Sequence, residues 1–144
     1  MRLVRLLWLM HIHGVGAHSR ALEFIFPNDK ILIGRSPKAP ATGYHPEHVV
    51  PCAFIRDEIF RRFETERRLV PQGRAKEDLV CMQGMVQLIE RLMAVAYIHP
   101  DERDALDSGK GALKDKMPEG WDPDTGDILN RLRVRANIEF LLPM

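Results

Sequence analysis

The chain has 144 residues, 45% of them hydrophobic, and a net charge of +1. That length buries a core without staples, and the near-neutral balance excludes a molecule that holds nucleic acid or anionic membrane through its overall field. Two cysteines, Cys52 and Cys81, are too few for a disulfide scaffold and fit reduced thiols in a cytoplasmic protein.

The basic, leucine-rich start from Met1 to Met10 is interrupted by His11 and His13 and followed by no small-residue cleavage site. Neither a signal peptide nor a membrane partner is expected, since no apolar run approaches the ~18 residues a spanning helix needs. Leu3 to Ile12 reads as a buried strand, because Gly14 and Gly16 end it abruptly and a second strand-like run follows. In that run, Ala21 to Phe26, the residues Leu22, Phe24 and Phe26 share one face. Pro27-Asn28-Asp29-Lys30 supplies turn residues and Ile31-Leu32-Ile33 returns, which predicts a β-hairpin. Pro37, Pro40, Gly43 and Pro46 make the next stretch a loop.

Pro51 suits a first helical turn, and a helix is expected from about Cys52 to Arg67 with Ile55, Ile59, Phe60 and Phe63 on one face. After a break at Val70-Pro71-Gln72-Gly73, Leu79, Met82, Val86, Ile89, Met93 and Ala96 step by three and four. Met85, Leu88 and Leu92 widen that seam, so a helix from about Lys76 to Tyr97 is placed at the centre of the core. Pro100 opens a short helix, Asp101 to Leu106, whose acids sit at the positive end of its dipole. Ser108 to Asp124 is a polar loop longer than usual connections, pinned by Trp121. A last helix runs from Asp127 to Asn137, and Ile138 to Leu142 alternates as a final strand. The expected fold is α+β in a single domain over residues 1–144. A small antiparallel sheet, made of the N-terminal strands and the C-terminal strand, packs against two main helices.

Chemistry concentrates between Tyr44 and Cys52, where two imidazoles, a carboxylate and a thiol fall within nine residues. Within it, Glu47-His48-Val49-Val50-Pro51 resembles the first half of the HNH (ββα-metal) nuclease motif. The resemblance implies His48 as general base, Glu47 as a metal-side or orienting carboxylate, and Pro51 as a stiffener of the turn. It also implies an Asn and a further His or Asn within a few tens of residues. This chain has no such second half, and its missing donors would have to come from His99, Asp101, Lys114 or the His11-Ile12-His13 stretch. Lys110 or Lys114 is suited to hold a phosphate as a point charge.

The same residues allow a metal reading by themselves. His45, His48 and Cys52 are candidate ligands, with Cys81 or His13 as a fourth; a thiolate set selects zinc, whereas a Glu/His set accepts magnesium or manganese. Arg56, Arg61 and Arg62 gather on the first long helix and suit a phosphate backbone or an acidic partner, although Asp57, Glu58, Glu64 and Glu66 are interleaved for ion pairing. Two functions are therefore expected of this sequence, with a zinc-stabilised structural module as a third reading. The first is a small metal-dependent HNH-like nuclease, or a derivative of one, with a divalent cofactor and a nucleic-acid substrate. The second is a non-enzymatic accessory or inhibitor protein that binds a protein or nucleic acid through the Arg-rich helix or the long loop.

Overall fold

A computed structural model of the chain describes residues 2–12, 20–69 and 82–144. The elements in order are α1 (Arg2–Ile12), α2 (Arg20–Ile25), a 3-10 turn (Asn28–Lys30), β1 (Leu32–Arg35), β2 (His45–His48), α3 (Cys52–Leu69), α4 (Met82–Leu92), β3 (Val95–Ile98), α5 (Pro100–Asp107) and α6 (Asn130–Ala136). The class is α+β, with a small sheet packed against helices of which α3 and α4 are the main pair.

The strands that make the sheet differ from those expected. Leu3 to Ile12 is a helix: Val4, Leu7 and Trp8 are buried at helical spacing while Arg2, Arg5 and Leu6 face outward. Ala21 to Phe26 is mostly the short helix α2, so there is no hairpin before Ile31. Ile138 to Leu142 contributes one isolated bridge, Leu142 to Arg35, and no strand. His11 thus lies on a helix rather than on a strand. His13 and Cys81 lie outside the described residues.

The sheet is instead mixed, in the order β1-β3-β2. The central strand β3 runs parallel to β1 and antiparallel to β2. It falls where the sequence predicts the end of the core helix. That helix stops at Leu92, and Val95, Ala96 and Ile98 are then consecutive or near-consecutive buried positions. A strand covered on both faces shows no alternation, and its apolar run continues the helical seam of α4 without a visible break. β2 sits at the sheet edge, where Pro46 faces Tyr97 without an amide to lose from the ladder.

The core lies between α1, α3 and α4. Ile55, Ile59 and Phe63 of α3 are fully buried and meet Met85, Leu88, Ile89 and Leu92 of α4 in one cluster. Trp8 closes it edge-on to Phe63, ring centroids 5.2 Å apart. At the other end of the sheet, Gly34 lets the C-terminal segment approach closely: a Cβ there would lie 2.7 Å from the Leu142 carbonyl oxygen. Gly34→Ala is expected to displace that segment and cost about 1–3 kcal/mol, read as a lowered denaturation midpoint.

The long loop after α5 is tied to the body at several points. Arg62 pairs with Asp124 at 3.0 Å, Arg91 donates to the Pro123 and Gly126 carbonyls, and the Trp121 indole donates to Asp127 O while its ring meets Phe54. Arg62 and Arg61 also clasp the buried Glu58, with Arg61 Nη2 at 2.6 Å and Arg62 Nε at 2.9 Å. Burial alone would raise the Glu58 carboxyl; the hydrogen bonds and charges of the two arginines outweigh it and hold it below its usual range. A carboxyl lowered by folding stabilises the native state above its unfolded value of about 4.3, and that contribution is lost as pH falls through the lower folded value. Glu58→Gln is thus expected to lower the Tm at pH 7 and to flatten its decline below about pH 4.3. Thermal scans across pH would show two parallel curves if the clasp contributed nothing.

Candidate functional site

β2, the turn Val49-Val50-Pro51 and the start of α3 form one rigid connection. Val49 and Val50 are fully buried, the Val49 amide donates to Ala94 O at 3.0 Å, and the Ile55 amide donates to Pro51 O at 3.1 Å. Proline at the head of α3 costs no helical hydrogen bond, because the first amides of a helix have no partner within it. This connection fixes His45, Glu47 and His48 on an edge strand and Cys52 on the first residue of an 18-residue helix.

These residues line a cleft of about 480 Å³. Its other walls come from distant parts of the chain: Glu23 from α2, Arg131 from α6, Asp107 at the end of α5, and Lys114 and Asp115 from the long loop. Four carboxylates (Glu23, Glu47, Asp107 and Asp115) thus face two fixed cations, Lys114 and Arg131. The balance favours a bound cation.

Glu47 and Arg131 form the brace of the site. Arg131 is fully buried. Both its terminal nitrogens donate to Glu47 Oε1, one at 3.1 Å, and one of them also reaches His48 O at 3.2 Å. The other Glu47 oxygen lies 3.1 Å from His45 Nε2. Burial would raise the Glu47 carboxyl, but the His45 ring and the Arg131 guanidinium outweigh it, so the group is held low and ionised. Burial lowers Arg131 in turn, opposed by the charge of Glu47; the guanidinium stays charged in every accessible state. Glu47 therefore spends both oxygens on structure and does not join the donor group described next.

Glu23, His48 and Cys52 come together: one ligand atom from each lies within 4.8 Å of the other two. Burial lowers the His48 imidazole below its ordinary value, the carboxylates of Glu23 and Glu47 oppose this, and the Arg131 charge adds to it. The ring is neutral at pH 7, the state required of a metal ligand or a proton acceptor. Burial, then the negative charges of Glu23 and Glu47, push the Cys52 thiol up to about 12. Without a cation beside it, Cys52 is an unreactive thiol. His48 Nδ1 and Arg131 Nε are both buried with no hydrogen-bond partner among the described residues.

Of the residues singled out from sequence, His48 and Cys52 meet, His45 and Glu47 share their cleft, and Lys114 stands on its rim. Arg56, Arg61 and Arg62 lie away from it, engaged with Asp57, Glu58 and Asp124. His99 is the N-cap of α5, accepting from the Asp101 amide, while Glu102 accepts from the His99 amide and from Ser36 Oγ at 2.6 Å. It belongs to a separate hollow with Lys38 and Arg135. The sequence reading missed Glu23 and Arg131. Glu23 is 25 positions before His48 and carries no local signal. Arg131 sits in an Arg-x-Arg-x-Arg run that reads as a solvated face. On a helix that spacing sends the three side chains in different directions. Arg131 points inward, Arg133 pairs with Asp127 and Glu139, and Arg135 binds the Ala105 and Ser108 carbonyls.

Comparison with protein-family models, curated proteins and solved structures finds no match to this chain.

Proposed function

We propose that the chain is a small metal-dependent hydrolase of phosphodiester bonds, a nuclease or a derivative of one, working from the cleft beside β2. One observation carries this reading: an imidazole, a thiol and a carboxylate converge on the wall of a cleft in which carboxylates outnumber cations. Such a cleft repels a bare polyanion and attracts a divalent cation, and a bound cation inverts the sign that a phosphate meets there. The metal supplies Lewis acidity and an acidified water. Lys114 on the rim offers a point charge to a phosphate oxygen. His48 is the pivot. Its neutral ring either takes the proton from water, as the HNH resemblance implies, or holds the ion that acidifies the water, and its loss removes the nucleophile in both cases.

The binding-protein alternative has less support, because Arg56, Arg61 and Arg62 are engaged in ion pairs along α3 and to the long loop. Among the described residues no helix is long and apolar enough to cross a membrane, and the free thiol of Cys52 suits a reducing cytoplasm. The test is incubation with supercoiled plasmid, single-stranded DNA and RNA in magnesium, manganese or zinc, with EDTA and His48→Ala as controls. Metal-dependent cutting abolished by EDTA and by the substitution is the expected result. Folded protein that cuts none of these with any metal would overturn the reading.

A further inference from the structure

The donor group at the cleft wall specifies more than a generic divalent site. We infer that Glu23, His48 and Cys52 form a three-donor site for a zinc-class ion, its fourth position open to the cleft. The inference deepens the hydrolase reading and rests on the same cleft, but its test does not use catalysis.

Three features support it. The first is the donor set. One sulfur, one imidazole nitrogen and one carboxylate oxygen suit zinc, and a site that includes a thiolate disfavours magnesium. Their charges, two negative and one neutral, balance a divalent ion. The second is pre-organisation. His48 and Cys52 are four residues apart across a turn whose two valines are fully buried, so their spacing is fixed by the core. Glu23, on the exposed side of α2, is the adjustable donor. Bonds of about 2.0–2.3 Å place tetrahedral ligand atoms roughly 3.5 Å apart. The ligand atoms of the present group, all within 4.8 Å of one another, lie close to that spacing without a bound ion. The third is unsatisfied polarity. His48 Nδ1 is buried without a partner among the described residues, an arrangement that leaves an imidazole lone pair available. The charge of Arg131 is offset by its ion pair with Glu47.

The full chain, stripped of metal and checked for folding by circular dichroism, would be titrated with zinc by calorimetry and with cobalt by absorption. One equivalent of either metal and a thiolate-to-cobalt charge-transfer band are expected. Cys52→Ser should abolish the band and Glu23→Gln should weaken zinc binding by at least about tenfold, whereas Cys81→Ser should retain both. Glu23 is exposed, so Glu23→Gln keeps the question answerable if Cys52→Ser fails to fold. A folded chain that binds neither metal overturns the site. So does binding without the charge-transfer band, and so does a band that survives Cys52→Ser but not Cys81→Ser. Zinc held as expected with no cleavage of any substrate would leave this site standing and remove the hydrolase reading. A folded chain that cleaves with magnesium but binds neither zinc nor cobalt would do the reverse.

Discussion

Arg131→Ala is expected to destabilise the chain by about 3–5 kcal/mol, the typical cost of removing one member of a buried ion pair. A domain of this kind is stable by roughly 5–15 kcal/mol, so a large part of its margin rests on one side chain that lies outside the main core cluster. Three losses add together. The Glu47 carboxylate, whose side chain is only 12% exposed, keeps His45 as its remaining partner. The His48 carbonyl loses its guanidinium donor. A fully buried side chain also leaves a void where α6 meets β2. The magnitude belongs to the stranded charge more than to the attraction, and a double-mutant cycle separates the two. Glu47→Gln alone strands the guanidinium and should be comparably costly. Combining Arg131→Ala with Glu47→Gln removes both charges and should cost clearly less than the sum of the two single changes. Denaturant titration at pH 7 measures all three. Strictly additive costs would mean that the pair is not coupled, and the brace assigned to it would have to be given up.

Prolines and apolar spacing decide which parts of the fold are legible in the sequence. α3 and α5 lie within one or two residues of their expected bounds, because Pro51 and Pro100 mark their starts, the apolar face of α3 repeats at helical spacing, and acids follow Pro100 in α5. The N-terminal segment is not legible in this way. Val4, Leu7 and Trp8 share a face only when the chain is helical, and a leucine-rich run ended by glycines fits a strand equally well. β3 was absorbed into α4 because a strand buried on both faces carries no alternation to set it apart from a buried helix. β2 was hidden by its proline, which at an edge position costs the ladder nothing.

The site divides along the same line. Local spacing brought His48 and Cys52 to notice, since four residues across a proline-bearing turn keep two donors near each other. The third donor and the buried cation arrive by tertiary packing, Glu23 from α2 and Arg131 from α6. Neither position differs in type or spacing from an ordinary surface charge. Only the fold separates Arg131, buried against Glu47, from Arg133 two residues later, which pairs with Asp127 on the outside.

His48→Ala should produce the opposite pattern to Arg131→Ala: a large loss of activity with little loss of stability. Removing a proton-transfer imidazole or a ligand of the active metal is expected to slow cleavage by about 10²–10⁴-fold. The fold should tolerate it, because the ring is only half-buried and its inner nitrogen has no partner among the described residues to strand. Deleting a buried group that is already unsatisfied relieves a desolvation cost and offsets the packing lost. Single-turnover cleavage and thermal denaturation on the same preparation would show a Tm within a few degrees of the parent and a rate near background. Zinc affinity then separates the two roles open to the ring. A ligand lost with His48 weakens zinc binding in parallel with cleavage, as the Glu23–His48–Cys52 site requires. A base lost with His48 leaves zinc affinity untouched while cleavage falls. Unchanged cleavage by folded His48→Ala protein would remove this residue, and the cleft with it, from the chemistry.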